Sequence, residues 1–428
     1  MGKENDTNHM KITIVQGAKT IGGPCIEIKT EEARIIFDLG VPLTDEKGNK
    51  LKVQDKGAIP RPDIQGLFDK GENAVDAVFI SHSHIDHYGF LSEVRTDVPV
   101  YMSRGCRDVI GVANYFGQTD YDPSRTIVIP PWKPVRIKDI EITPYLVDHS
   151  AFDAFAYLIE SGGKRVFYSG DFRGHGSKSI LFEKLIENPP RNVDVLICEG
   201  TVMASEREGE KITENDVRDA LIRDFSERKG LIMVSSSSQN VDRIISIYKA
   251  CRKSGRQFVI PPYTAYVLER IQREGITIPQ YDWKDVRVFF VSGRHTSTLA
   301  KDNKLYKFLK SKIEYEEISE KKNALVVLDS YHVRKSLARK EIVQGATLIY
   351  SQWDGYLKDE DIDFWNRQDV EIVKRHSSGH ISPGDIQRFA GAVSSRKILP
   401  IHTLAPERFT DFFGSKAVLL KNGQSIEI

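Results

Sequence analysis

Residues 78–90 read VFISHSHIDHYGF, so an apolar run of strand character ends in His82, His84, Asp86 and His87, four ionisable side chains within six residues. Three of them are histidines, in a chain that has 11. An alternating pleat points His82 and His84 to one side, and a turn at Asp86 and His87 folds two more donors toward that side. Left to itself such a cluster gives up packing and repels itself when protonated, and a bound cation removes both objections. Imidazole nitrogen with carboxylate oxygen suits zinc or a similar first-row divalent ion. Four donors from one turn are more than a single tetrahedral ion takes conveniently. The stretch therefore predicts two ions sharing the cluster, in a fold that brings further donors to the end of this strand.

Those donors stand at other strand ends. His149 closes TPYLVDHS, Asp171 closes VFYSGD and His402 closes KILPIHT. With His82, His84, Asp86 and His87 they make seven metal ligands. Asp171 is the expected bridge, and a bridging carboxylate holds two ions roughly 3.5 to 4 Å apart, where both stabilise the oxygens of an in-line displacement.

At 428 residues the chain is long enough for two cores. The first two hundred or so residues are short β-rich pieces broken by glycine and proline: KITIVQG, CIEIK, ARIIFDLG, DAVFIS, VPVYMS and IEITPYLV predict a sandwich of sheets. KRVFYSGDF and VDVLICEGT repeat one device, an apolar strand ending in an acidic residue. Beyond Thr201 the texture changes to β-α-β. A helix capped by Thr213 and Asp216, with Val217, Leu221 and Phe225 on one face, runs to Gly230, and a second ends at Gly255. From Asp369 the first texture returns, with strands DVEIV and KILPIHT around a helix that starts at Ser382 and Pro383, and VLLKNGQSIEI as a hairpin over Asn422 and Gly423. The expected fold class is α/β: residues 10–205 and 366–428 form one sandwich, and 206–365 an inserted α/β domain.

Composition closes off other classes. With 40% hydrophobic and 28% charged residues, and no apolar run near the roughly 20 a membrane span needs, no membrane partner is expected. The polar start MGKENDTNHM lacks the apolar core of a secretion signal, and Cys25, Cys106, Cys198 and Cys251 are widely spaced without a CxxC pair, so a cytoplasmic location with reduced thiols is expected. A net charge of +1 means that any nucleic-acid site is basic only locally.

HxHxDH after a strand, the distant His149, Gly170-Asp171 and the late His402 resemble the metallo-β-lactamase superfamily, whose αβ/βα sandwich binds two metals at its strand edges. ICEGT with Glu199, SSGH with His380 and PIHT with His402 look like motifs A, B and C of the β-CASP nucleases, which carry an inserted domain where this chain has one. Among named families the chain looks most like ribonuclease J. The resemblance implies that His82, His84 and His149 hold one ion and Asp86, His87 and His402 the other, with Asp171 between them. Members with histidine at motif C generally act on RNA, so RNA is the implied partner and no DNA preference is expected. The stretch after His402 is short for the C-terminal domain that supports ribonuclease J dimers, and a homodimer is left open.

The resulting expectation is a metal-dependent RNA phosphodiesterase, exo- or endonucleolytic, using two divalent ions, zinc or else manganese, and a hydroxide held by them. Asp86 orients the attacking oxygen, Glu199 raises the basicity of His380, and His380 donates to the leaving 3′ oxygen. Ser377, Ser378 and Gly379, ahead of a helix start, and Ser237 in the SSSS turn are candidate substrate-binding residues for phosphate. Arg173, Lys374, Arg375, Arg294 and His295 could neutralise an RNA backbone, and Trp353 or Tyr356 could stack a base. The stretches SSSSQN, 235–240, and RGHGSK, 173–178, do not map onto the pattern of a known member. Two alternatives stay open: a hydrolase of thioesters, lactones or β-lactams, which leaves the insert without a role, and an inactive RNA-binding scaffold, which has no need of all seven ligands.

Overall fold

The computed structural model describes residues 9–52, 59–71, 74–204 and 212–428. Alternating KITIVQ and CIEIK form β1 (Lys11–Gln16) and β2 (Cys25–Lys29), burying Ile12, Ile14, Ile26 and Ile28. β3 (Arg34–Phe37), β4 (Ala77–Phe79), β5 (Val100–Met102) and β6 (Thr126–Val128) follow. A second series is β7 (Val135–Ile137), β8 (Ile140–Leu146), β9 (Phe155–Ser161), β10 (Lys164–Tyr168) and β11 (Val195–Glu199). The inserted segment supplies β12 (Ile232–Ser235), β13 (Gln257–Ile260), β14 (Val286–Phe289), β15 (Lys312–Ile313), β16 (Leu325–Asp329), β17 (Thr347–Tyr350) and β18 (Glu371–Lys374). The return adds β19 (Lys397–Ile401) and β20 (Gln424–Glu427).

In the first unit the strands make two sheets, ordered β20-β1-β2-β3-β4-β5-β6 and β19-β11-β10-β9-β8-β7. β3 to β6 run parallel, as do β10, β11 and β19. The facing surfaces share one core, with Ile35, Phe37 and Phe79 from one sheet and Tyr157, Val166, Tyr168, Ile197 and Leu399 from the other. Each outer face is covered in turn. Cys106 and Ile110 of the helix Arg104–Tyr115 join one outer core, and Phe182 and Phe389 from the helices Ser179–Glu187 and Pro383–Val393 join the other. Helix, sheet, sheet and helix therefore stack as an αβ/βα sandwich, each side chain of this size contributing about 1.5–3 kcal/mol by burial.

The second unit holds a single sheet in which all strands are parallel, ordered β15-β14-β13-β16-β12-β17-β18. Thr213 caps the helix Glu214–Glu227 through the reciprocal Thr213–Asp216 box, and Gly255, at φ +74°, ends the helix Val241–Ser254.

Three expectations shift. Among the described residues the division leaves Ala204 in the first unit and Ile212 in the second, and falls again at Ser378/Gly379. The boundary read at 205/206 lies outside the described residues, and the one read at 365/366 moves because Glu371–Lys374 pairs with β17 instead of opening the return. The Asn422-Gly423 turn is present, but β20 pairs with β1, not with the residues just before the turn, because Ile426 lies opposite Ile12. The strands β6, β7, β9 and β14 and the helices Arg104–Tyr115 and Ser179–Glu187 did not feature in the sequence reading. Cys25, Cys106, Cys198 and Cys251 are buried and unpaired, and burial pushes all four thiols up. Among the described residues no helix is long and apolar enough to cross a membrane.

Candidate metal centre

Four of the candidate ligands stand just past the C-terminal end of a strand: His82 after β4, His149 after β8, Asp171 after β10 and His402 after β19. The chain then closes a short helical turn, Ile85–Tyr88, in which the His87 and Tyr88 N–H groups donate to the His84 carbonyl. That turn swings Asp86 and His87 back toward His82. It fits closely against the loop after β3, where a Cβ on Gly40 would overlap the Asp86 carbonyl.

The side chains gather into two overlapping sets. One ligand atom each from His82, His84 and His149 lie within 4.8 Å of one another, and so do one each from Asp86, His87, Asp171 and His402. The Asp171 Oδ2 joins the sets: it lies 3.1 Å from His87 Nε2 and 3.8 Å from both His82 Nε2 and His402 Nε2. His149 Nε2 and His84 Nδ1 face each other at 3.2 Å.

The surroundings fix which nitrogen faces inward. His149 donates through Nδ1 to the Gly379 carbonyl at 2.7 Å, and His87 through Nδ1 to Asp38 Oδ2 at 2.8 Å. His82 Nδ1 meets Ser81 Oγ at 3.0 Å and His402 Nδ1 meets Thr201 Oγ1 at 2.7 Å. With the outer nitrogen engaged, the inner Nε2 of His82, His87 and His149 is left to point into the cluster, as in protein metal sites, while His402 Nε2 lies 3.2 Å from Asp86 Oδ2 and also faces the Gly22 N–H at 3.0 Å. His82 Nε2 and Asp171 Oδ1 are buried without a hydrogen-bond partner, a costly arrangement that a cation would relieve.

Electrostatics agree. Burial above all holds His82 and His149 well below the ordinary imidazole range and His84 at about 4, so these three present lone pairs, not charges. His87 is also pushed down by burial, but Asp171 and Asp38 outweigh it and hold the ring well above its usual value. Burial works against ionisation of Asp86 and Asp171; even so, His402 and His87 bring Asp86 to about 2 and hold Asp171 well below the usual carboxylate range. A bound divalent ion would take the place of the proton that the carboxylates hold on His87. The donor set is thus suited to divalent ions.

Beside the cluster, His380 Nδ1 lies 3.1 Å from Glu199 Oε2 and 3.5 Å from Asp171 Oδ2. Burial opposes its charge, but Glu199 and Asp171 prevail and raise it to about 9. Glu199 is held by the Phe172 N–H at 3.0 Å and the Thr201 hydroxyl at 2.7 Å.

Residues 60–222 match the family model described as a β-lactamase superfamily domain. Ribonuclease J of Mycoplasma pneumoniae is 22% identical over 409 residues, covering 92% of this chain and 67% of that protein. Ribonuclease J of Mycolicibacterium smegmatis is 22% identical over 460 residues, covering 98% and 75%. A crystal structure of a protein of unknown function from Enterococcus faecalis V583 superposes with a TM-score of 0.79 at 22% identity, covering 98% of this chain and 100% of that one. Over residues 60–222 the chain is similar to the β-lactamase superfamily. Its alignments to the curated relatives span from 32% to 75% of their lengths.

The smaller candidates divide. Arg173 is buried against Asp148, not displayed to a ligand. Arg375 is tied to Asp224 at 2.9 Å, and Lys374 to Asp354 at 3.1 Å. The Ser377 hydroxyl is buried, donating to Glu214 Oε2 at 3.0 Å and accepting from the Arg243 guanidinium at 3.1 Å. Gly379 gives its carbonyl to His149, and a Cβ there would sit 2.8 Å from Ser150 Oγ. Ser237 is exposed at the end of β12, with Oγ accepting from the Gln239 N–H at 3.2 Å. Arg294 is exposed and the His295 ring stacks on Tyr263 at 4.5 Å, while Trp353 and Tyr356 are exposed and meet edge to face.

The sequence reading missed Asp38, which accepts from the Ser81 N–H and hydroxyl, from His87 and from the Tyr168 hydroxyl. Its signal was present, since ARIIFDLG is a third apolar strand ending in a carboxylate. Thr201, which joins Glu199 to His402, carried no such signal.

Proposed function

We propose that this protein is a metal-dependent ribonuclease of the β-CASP type with a dinuclear centre. One observation carries the reading: a single oxygen of Asp171 lies within 3.8 Å of histidines from both ligand sets and of His380, the arrangement a shared carboxylate between two ions needs. His82, His84 and His149 would hold one ion, and Asp86, His87 and His402 the other. Bound divalent ions supply Lewis-acid charge to the phosphate and lower the pKa of water toward neutrality. RNA as the substrate rests on the likeness to ribonuclease J.

The protein's own groups then have defined work. Asp86, 3.2 Å from His402, orients the attacking water from the side opposite the leaving group. His380, kept protonated by Glu199, gives its proton to the leaving 3′ oxygen, so the downstream product carries a 5′-phosphate. Ser378 and Gly379 are proposed to contact phosphate oxygens, and Ser237 is a separate phosphate-binding candidate of the second unit; Ser377 is held by Glu214 and Arg243. Zinc or manganese fits the donor set.

The test compares wild type, Asp86→Ala and His380→Gln on end-labelled RNA, circular RNA and nitrocefin in one metal buffer. Asp86→Ala is expected to abolish RNA cleavage with the fold intact, and His380→Gln to slow it by roughly 10²–10⁴-fold. Cleavage of the circle identifies endonuclease action. Turnover of nitrocefin but not RNA, or full activity in Asp86→Ala, overturns the proposal.

A further inference from the structure

The RGHGSK stretch has no place in the chemistry so far, yet its arginine is among the largest fully buried side chains of the protein. Arg173 stands two residues after Asp171, and its buried partner Asp148 stands directly before His149. Three contacts converge on Asp148. The Arg173 N–H donates to its carbonyl at 2.7 Å, the Gly176 N–H donates to its Oδ2 at 2.8 Å, and the Arg173 Nε lies 3.5 Å from its Oδ1. The glycines are part of the same fit. A Cβ on Gly176 would overlap both the guanidinium and the Asp148 carboxylate, and one on Gly174 would lie 2.6 Å from the Phe182 ring.

Burying a guanidinium beside a cluster suited to cations is expensive. A buried ion pair is weak evidence for stability, since an apolar pair of similar volume is often as stable; its best-attested use is to specify one arrangement. The arrangement specified here is that of two loops, one carrying His149 after β8 and one carrying Asp171 after β10, which no strand pairing joins directly beyond the ends of those strands.

We propose that Asp148 and Arg173 are positioning residues that lock the His149 loop to the Asp171 loop, and that without this clamp the three-histidine set loses its ion. The inference rests on the dinuclear reading above. The clamp touches neither substrate nor ions; it acts through the placement of His149. The set formed by Asp86, His87, Asp171 and His402 has two carboxylates and Asp38 behind it, so it keeps its ion when the clamp is removed.

The experiment loads the full chain with zinc and with cobalt, then measures metal content by mass spectrometry, the cobalt absorption spectrum, and the melting temperature of the metal-free protein. Wild type is expected to hold two ions, and His149→Ala one. Asp148→Asn/Arg173→Met removes both charges, keeps an acceptor for Gly176 and fills the arginine's volume. It is expected to bind the second ion 10–100-fold more weakly while melting near the wild-type temperature without metal. Arg173→Lys, a gentler change should the double variant not fold, is expected to weaken the second ion at least about tenfold, since an ammonium cannot reproduce the planar fork. Wild-type affinity for both ions in either variant overturns the clamp alone, as does loss of both ions in step with a collapsed melting temperature. Fewer than two ions in wild type overturns the dinuclear reading, and the clamp with it.

Discussion

Asp38 stands at φ +56°, in the left-handed region that non-glycine residues seldom enter, and from there its carboxylate takes four donors, including His87 Nδ1. His402 is likewise at φ +51°, with Nδ1 on Thr201 and Nε2 turned 3.2 Å from Asp86. Strained backbone of this kind persists where surrounding contacts over-determine it, and here those contacts are the ones that aim imidazoles inward. Asp38→Asn keeps the shape but offers an amide where donors converge. It is expected to lower the affinity of the Asp86, His87, Asp171 and His402 set for zinc by roughly 10–100-fold, measured by chelator competition. Unchanged affinity would remove Asp38 from the support of His87.

At the level of elements, local chemistry was read well where it is local. Ser382 caps the helix Pro383–Val393 by accepting from the Asp385 N–H, and Ile386, Phe389, Ala390 and Val393 form its buried stripe, as the spacing predicts. Ser382→Ala is expected to cost about 1 kcal/mol in urea unfolding, with no change in metal content. The misreadings share one cause. EIVK could as well have opened the return as closed the insert, because a short β-branched run says that it is a strand but not which partner it has. Its partner β17 lies about twenty residues earlier in the chain, whereas β20 finds β1 more than four hundred residues away. Asn422-Gly423 marks a turn correctly, but which strands pair around it is decided by the row of isoleucines at 12, 14 and 426 that must share a core.

For the whole molecule, the first unit gathers buried imidazoles and carboxylates at one end of its sandwich, a donor set that exists only when the sandwich is assembled and that could hold divalent ions. Ligand binding to the folded state alone stabilises by RT ln(1 + [L]/Kd), about 4 kcal/mol at a thousandfold excess over Kd. Stripping metal with a chelator is therefore expected to lower the melting temperature by several degrees and zinc to restore it, followed by calorimetry; a His82→Ala/Asp171→Ala protein is expected to show no such difference. What the sequence determined by itself is many of the strands, the helix caps and the ligand-type residues that follow strand ends, because these depend on neighbours a few positions away. Only the tertiary structure decided that His84, His149, Asp171 and His402 meet, that Asp38 and Thr201 stand behind the rings, and that Arg173 turns inward to Asp148. Strand order in a sheet pairs residues tens to hundreds of positions apart, and no local pattern records that choice.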